Sequence, residues 1–291
     1  MKNTKKVVQR LIVVIFLFAV TVFTFRPIVA RAMPFYGLNP KHLTVRSTFS
    51  TTYEKSTEDR KSNIKLAVRS INNTIVDVGG EFSFNSVVGP RTEKRGYKTS
   101  KIIVGGEFVD GVGGGVCQVS TTLYNAVVLA GLIVTEYHPH SLPVSYVPPS
   151  RDAMVNSGSA DLRFVNCTNN PLIIKATATD TALTIKIIGE PLQVEYLIQS
   201  TVKETIPAPD YVILKDVKGE YPNLYEGERL YLSYSKDGVK SRADVVTIKN
   251  GKTLSKTKLR TDTYKAVQGR VIEGTAIRKD AENDFAESIE D

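Results

Sequence analysis

The sequence predicts an α+β fold, in which a strand-rich N-terminal domain with a helix after a glycine-rich cysteine loop is followed by a small, extended all-β module. Three observations in this chain of 291 residues predict that class. Short runs of β-branched residues recur between glycines in the first half. Apolar residues at helical spacing follow a glycine run at 111–115, and longer alternating runs separated by Asp-Gly and Asn-Gly turns fill the second half.

The first 32 residues are typical of an export signal. Four basic residues precede 11–25, a stretch of fifteen residues without charge, and Ala30-Arg31-Ala32 has the small-x-small form of a signal-peptidase site. Because a membrane helix needs about 20 apolar residues, a cleaved signal peptide and an N-terminal transmembrane anchor both remain open. Either one predicts a body outside the cytoplasm, held at the cell membrane by one N-terminal pass or secreted to the cell wall. Residues 33–43 are interpreted as a linker.

The N-terminal domain is predicted at 44–190. Helical spacing of apolar residues predicts a helix over 59–71, with Ser56 or Thr57 as its N-cap. The β-rich segments between turn residues predict strands at 43–53, 74–78, 81–84, 101–104, 107–109, 142–146, 162–165, 172–179 and 182–188. The last three strands are expected to form a β-meander.

The glycine run and the helix after it are the feature around which we expect the domain to be organised. Four of the five residues 111–115 are glycine, so the loop can adopt positive φ and let a partner approach its backbone. A helix is predicted from about residue 119 to 130. Gly114, Gly115 and Gln118 are therefore predicted to contact a substrate, with loop amides stabilising an oxyanion.

Cys117 lies at or just before the N-terminus of that helix, where unpaired amides and the helix dipole favour a thiolate. It is a candidate nucleophile, with Ser120 assisting in orientation; the alternative is a buried cysteine that fills the core. His138 and His140 follow shortly afterwards, and either one would supply the general base that a cysteine nucleophile needs.

Cysteine and histidine also allow two other interpretations. Cys117, His138 and His140 would be three zinc ligands, but histidines two positions apart diverge on a helix, and we predict no metal and no cofactor. Cys167 would be able to form a disulfide with Cys117 outside the cell; we interpret it as incidental.

Arg151 is a candidate substrate-binding residue, because its planar guanidinium suits the terminal carboxylate of a peptide. The alternative is a structural ion pair with Asp152, its neighbour in the turn 150–153.

Four runs in this half of the chain closely resemble the VanW family over about residues 44–190: GGEFSFNSVVGPRTEKRGYK, GVGGGVCQVSTTLYNAVVLAGL, HPHSLPVSYVPPSRDA and SADLRFVNCTNNPLIIKA. The resemblance implies an exported cell-envelope protein of Gram-positive bacteria. The cysteine and histidines are more loosely similar to those of L,D-transpeptidases, which cut and rejoin wall peptides. Those enzymes place His and Gly immediately before the Cys, whereas the histidines here come later.

The second module is predicted at 193–275, with strands at 194–198, 211–215, 229–235, 242–249 and 254–264 and a hairpin turn at Asn250-Gly251. Its spacing of glycines resembles the G-five domain of bacterial surface proteins, which implies an extended β module that binds amino sugars. The acidic tail, 276–291, is predicted to be disordered.

The formal net charge of +8 suits an anionic partner such as peptidoglycan, another wall polymer or a membrane face. The sequence contains no nucleic-acid-binding motif, so we predict no nucleic-acid partner. Two functions follow from these observations. One is a cysteine-dependent transpeptidase or peptidase that remodels peptide cross-links in peptidoglycan; the alternative is a non-catalytic protein that holds wall glycan through its C-terminal β module.

Overall fold

A computed structural model describes residues 43–277. The predicted export signal, nearly all of the linker and the acidic tail beyond residue 277 lie outside the described residues. Among residues 43–277, no helix is both long and apolar enough to span a membrane. The helices are α1 (Glu58–Ile71), α2 (Phe84–Val88), a 3-10 turn (Glu93–Arg95) and α3 (Val116–Leu129).

The N-terminal domain contains nine strands. They are β1 (Thr44–Thr52), β2 (Thr74–Val76), β3 (Glu81–Ser83), β4 (Thr99–Val104), β5 (Glu107–Val112), β6 (Ile133–Glu136), β7 (Arg163–Val165), β8 (Leu172–Ala178) and β9 (Ala182–Gly189). A four-stranded antiparallel sheet has the order β1-β9-β8-β2, a smaller sheet has the order β3-β7-β6, and β4 and β5 form a hairpin. The α+β class predicted from the sequence is confirmed.

Local sequence explains the N-terminus and the buried face of helix α1. Thr57 caps its N-terminus by accepting a hydrogen bond from the Arg60 amide at 3.4 Å, and acidic residues occupy the first turn, where they complement the helix dipole. Its buried residues Ile64, Ala67, Val68 and Ile71 recur at helical spacing. This face packs on β8 and on α3.

Helix α3 is buried on almost every side, and it contacts β1, β9 and α1 within its own domain. It also contacts β10 (Glu195–Ile206), the first strand of the second module. Ile198 and Ala243 of that module belong to the same apolar core. The second module therefore packs directly on the helix that carries Cys117.

The second module has six strands. Strand β10 pairs with β13 (Gly238–Lys249), which pairs with β14 (Lys252–Tyr264), all antiparallel. A second sheet has the order β11 (Val212–Lys215), β15 (Arg270–Glu273), β12 (Arg229–Ser233). Asn250 and Gly251 both have positive φ, 50° and 73°, as the predicted two-residue hairpin turn requires.

Several elements differ from the sequence-based expectations, among them α2, β6 and β15, which the sequence patterns did not indicate. Strand β7 pairs with β3 and β6 rather than with β8, so 162–165 is not part of a meander with the next two strands. Residues 142–146 form no strand; Pro143 lacks a backbone donor, and Val144 and Tyr146 line a cleft instead. Strand β10 runs eight residues beyond 198, through residues exposed on both faces, where no hydrophobic alternation marks it.

Candidate active site

The glycine loop meets α3 at Gly115, which occupies the N-cap position with a φ of 109°. A Cβ at Gly115 would lie 3.0 Å from Ile64 Cγ1 and 3.2 Å from the Arg60 carbonyl oxygen, so α1 packs against the loop backbone. Asn63 on α1 donates to the Gly114 carbonyl at 3.0 Å. These contacts fix the loop and place Cys117 in the first turn of the helix.

We expect Gly115→Ala to lower the free energy of unfolding by about 3 kcal/mol, because it combines left-handed strain with a steric conflict against α1. Gly105→Ala is the matched control: Gly105 also has positive φ, 63°, but an added Cβ meets nothing within 4 Å. The control should cost about 1 kcal/mol. Urea denaturation of both variants measures the difference, and equal costs would show that the packing at Gly115 is unimportant.

Cys117 is partly exposed at the floor of a cleft of ≈ 920 Å³. Its Sγ lies 3.4 Å from the Val155 carbonyl oxygen, and the side chain of His140 lies close enough to lower the pKa of the thiol. The backbone amides on either side are used within the loop, since Val116 donates to Gly113 O and Gln118 to Gly115 O. Among the described residues, the Cys117 amide has no hydrogen-bond acceptor, although both neighbouring amides have one.

His140 is held in a fixed orientation by Asp152. Asp152 Oδ2 lies 2.7 Å from His140 Nδ1 and also accepts a hydrogen bond from the His140 amide at 2.7 Å. Because Nδ1 is engaged by the carboxylate, Nε2 is the ring nitrogen left to interact with Cys117. Cys117, His140 and Asp152 thus lie in series, in the order in which nucleophilic catalysis by a cysteine uses a nucleophile, a base and an orienting carboxylate.

The three groups shift one another's pKa. Burial raises the pKa of the Cys117 thiol, but the hydrogen bond and charge of His140, with a contribution from Arg91, bring it below its usual value. Burial lowers the pKa of His140, yet Asp152 and Cys117 outweigh it and raise this pKa to about 9. Burial raises the pKa of Asp152 and its bonds to His140 and Tyr264 lower it, for a net decrease. The interaction therefore favours a thiolate beside an imidazolium more than either group would if it were alone.

Residues of the second module complete this array. Tyr264, at the end of β14, donates to Asp152 Oδ1 at 2.5 Å and accepts from the Ser150 amide at 2.7 Å. Arg260 donates to the Asp152 carbonyl oxygen at 2.6 Å, and its guanidinium is paired with Asp262 at 2.7 Å. Asp152 is 1% exposed and Arg260 2%. The carboxylate that orients His140 is thus held from the second module.

The structure separates the two predicted histidines. His138 Nε2 pairs with Glu136 Oε1 at 2.9 Å, within a polar cluster that includes Arg163. It does not line the cleft around Cys117, whereas His140 does. The zinc interpretation needs His138 and His140 together on Cys117, and the described geometry does not bring them together. Cys117 and Cys167 are both free, and Cys167 is exposed.

Ser120 is fully buried and faces away from the cleft. Its hydroxyl donates to the Ala153 carbonyl oxygen at 2.6 Å, while the Thr121 hydroxyl accepts from the Ala153 amide at 2.9 Å. These bonds tie α3 to the residue after Asp152. The Ser120 hydroxyl is therefore committed to the backbone next to Asp152.

Of the predicted substrate-binding residues, Gly114, Gly115 and Gln118 line the cleft. Gln118 is buried, with its side-chain amide bonded to Thr51 and Thr52 and its oxygen to Arg60. Gly114 packs against β4, where an added Cβ would lie 2.7 Å from the Lys101 carbonyl oxygen.

Arg151 lies outside the cleft lining, donates to Asn125 at 2.9 Å and stacks over Phe49, and its predicted ion pair with Asp152 does not form. Asp152 is committed to His140 and Tyr264 instead.

Sequence reasoning did not identify Asp152, Tyr264 or Arg260 as parts of the site. Asp152 lies twelve residues after His140 in a segment without regular structure, and Tyr264 follows 112 residues later. The alternating pattern of 254–264 predicts a strand but does not indicate which face packs on Asp152. The only local signal was the SRDA turn, in which an acidic residue follows two histidines.

Comparisons with known proteins agree with the motif analysis. Residues 59–188 match the family described as VanW like protein. An uncharacterized protein of Bacillus subtilis, YoaR, is 41% identical over 172 residues, which is 59% of this chain and 55% of that protein. The vancomycin B-type resistance protein VanW of Enterococcus faecalis is 29% identical over 142 residues, or 46% of this chain and 49% of that protein. The chain spans about half the length of these relatives.

Two solved structures match a smaller part of the chain. The G5 domain of IgA1 protease is 21% identical over 29% of this chain and 95% of its own length, with a TM-score of 0.18. The G5 domain of HP0197 is 20% identical over 28% of this chain and 99% of its own length, with a TM-score of 0.16. The family match lies over the glycine loop, Cys117 and His140, so residues 59–188 are similar to VanW-like proteins.

Proposed function

We propose that this protein is a cell-wall-associated acyl-transfer enzyme that remodels peptide cross-links in peptidoglycan with Cys117 as its nucleophile. The single observation that carries the proposal is the series Cys117, His140, Asp152 at the start of α3, opening into a cleft. A cysteine that only filled the core would be sealed from solvent and would need no oriented histidine. The resemblance to an envelope family and to a vancomycin resistance protein supports a wall peptide as the substrate.

The first half-reaction forms an acyl-enzyme. The Cys117 thiolate attacks the carbonyl carbon of the donor peptide bond, and the oxygen takes up the negative charge. The C–N bond then breaks, the electron pair leaves with the amine, and the His140 imidazolium supplies the proton that this amine needs. The product is a thioester on Sγ and a neutral His140.

The second half-reaction releases the acyl group. An amine of a second wall peptide attacks the thioester carbon, His140 accepts the proton of that amine, and the C–S bond breaks to restore the thiolate. Water in the place of the amine would give hydrolysis, which is the peptidase outcome. An open cleft of ≈ 920 Å³ has room for two peptide segments.

The Cys117 amide is suited to stabilise the oxyanion. It is unpaired among the described residues and sits in the first turn of α3, where the helix dipole favours negative charge. The sequence pointed to the loop amides as a group, but those of Val116 and Gln118 are already bonded. We therefore assign the oxyanion contact to Cys117 itself.

Incubation of the purified protein with disaccharide-tetrapeptide fragments of peptidoglycan tests the proposal. We expect cross-linked dimers that have lost the terminal residue of one donor, together with an acyl adduct in the intact-protein mass. Cys117→Ala should abolish both products, whereas Cys167→Ala, at the exposed second cysteine, should keep them. Products that persist in Cys117→Ala would exclude the mechanism, and hydrolysed monomers in place of dimers would identify a peptidase.

A further inference from the structure

Two arginines lie against the glycine loop, one at each end. A Cβ at Gly113 would be 3.0 Å from Arg91 Cβ, and a Cβ at Gly115 would be 3.1 Å from Arg60 Cγ. Both arginines line the cleft into which Cys117 opens. Because Gly113 and Gly115 have no side chains, the aliphatic parts of the two arginine side chains can pack against the loop near Cys117.

The side-chain partners of both guanidinium groups are uncharged. Arg60 donates to Gln118 Oε1 at 2.9 Å, and Arg91 donates to Ser157 Oγ at 2.9 Å and to Asn85 Oδ1 at 2.7 Å. Within residues 43–277, neither arginine has an Asp or Glu oxygen within 4 Å, whereas Lys101 at the same cleft is paired with Asp110. A guanidinium has five donors in a planar fork that matches a carboxylate. The uncharged partners therefore orient both guanidinium groups and leave their positive charges uncompensated.

The rest of the cleft has the same sign of charge. Its lining includes five basic side chains and only one acidic one, Glu54. The basic ones are Lys55, Arg60, Arg91, Lys101 and Lys236. Arg91 is close enough to Cys117 to help lower the pKa of its thiol. A cleft with this field concentrates anionic ligands near the sulfur.

We propose that Arg60 and Arg91 form a carboxylate-binding site on either side of Cys117, so that the acyl donor is selected as an anionic peptide. The site deepens the proposed function and rests on it, since it places the donor carboxylate near a reacting Cys117. Gln118 serves this site as a positioning residue, because its oxygen orients Arg60 while its amide nitrogen is tied to β1.

A pair of alkylating reagents tests the site without any wall substrate. Iodoacetate and iodoacetamide react in the same way. The thiolate attacks the CH₂ carbon and forms a C–S bond, and iodide leaves with the electron pair of the C–I bond. The reagents have nearly the same size, and only iodoacetate carries a carboxylate. The ratio of their rates at Cys117, measured in a Cys167→Ala background, therefore reports carboxylate binding and cancels changes in the pKa of the thiol.

Arg60→Gln and Arg91→Gln should each lower the iodoacetate to iodoacetamide ratio about 3- to 10-fold, the effect expected from loss of one charge-assisted hydrogen bond in a half-buried site. Arg60→Lys and Arg91→Lys keep the charge but lose the fork, and should give intermediate ratios. Arg69→Gln, on the exposed face of α1, is the matched control for general charge and should leave the ratio unchanged. Thermal unfolding verifies that each variant is folded.

Two results would overturn the carboxylate site: ratios that are unchanged in the Arg60 and Arg91 variants, or an equal fall in Arg69→Gln, which would indicate only the overall field. If the glutamine variants do not fold, the lysine variants test the site. A site that binds the carboxylate through the planar guanidinium must show a lower iodoacetate to iodoacetamide ratio when lysine replaces arginine. Failure of the proposed function has a different signature, which is a Cys117 that is inert to both reagents. That outcome would also exclude the proposed role of Arg60 and Arg91 in binding an acyl donor.

Discussion

His140→Ala is expected to return the Cys117 thiol to ordinary reactivity, whereas His138→Ala leaves the pH dependence of its reactivity unchanged. His140 is the group whose hydrogen bond and charge offset the burial of the thiol. Without it, burial raises the pKa of Cys117 towards or above the usual value of about 8.5. His138 is a matched control, since it is the same residue two positions away with Glu136 as its partner.

The rate of alkylation by iodoacetamide as a function of pH measures this difference. The wild-type rate should rise with a midpoint below about pH 8.5, and the midpoint should move upward in His140→Ala alone. Acyl transfer itself should fall about 10²- to 10⁴-fold in that variant, the usual effect of losing a general acid–base group. An equal shift in both histidine variants would contradict the assignment of His140.

The same pair of pKa shifts predicts a bell-shaped pH dependence of acyl transfer. Activity should rise as the pH passes the lowered pKa of Cys117, because the thiolate forms. It should fall as the pH passes about 9, because His140 loses the proton that the leaving amine requires.

Arg260→Met is expected to lower the free energy of unfolding by about 3–5 kcal/mol, since it leaves buried carboxylates without their cation. The Arg260 side chain is fully buried, paired with Asp262 and 3.8 Å from Asp152 Oδ1, and its guanidinium stacks 4.2 Å from the Tyr137 ring centroid. Because it also holds the backbone of Asp152, variants that still fold should show a raised pKa of the Cys117 thiol.

Urea denaturation followed by circular dichroism measures the loss of stability. Arg229→Met is the matched control in the same module, because Arg229 is 47% exposed and its bridge to Glu273 is 3.3 Å long. That change should cost less than about 1 kcal/mol. A loss in Arg260→Met as small as that of the control would mean that the second module does not depend on its buried ion pair.

The sequence by itself determined the class of fold, the helix after the glycine loop and the position of Cys117 at its start. Each of these depends on residues close together in the chain: the glycine run, the 3.6-residue spacing of Val119, Leu123 and Ala126, and the turn residues that bound the strands. The motifs around them also indicated the resemblance to the VanW family over this part of the chain. The same local patterns failed at 142–146, where apolar residues line a cleft and form no strand.

Only the tertiary structure decided which histidine faces Cys117 and what holds it there. The sequence offered His138 and His140 equally, and Asp152 was noticed only as a partner for Arg151. The choice depends on contacts between residues far apart in the chain, since Tyr264 and Arg260 of the second module fix Asp152, which in turn fixes His140. Hydrogen bonds of this kind join side chains from different modules, and neither periodicity nor composition encodes the orientation in which two modules pack.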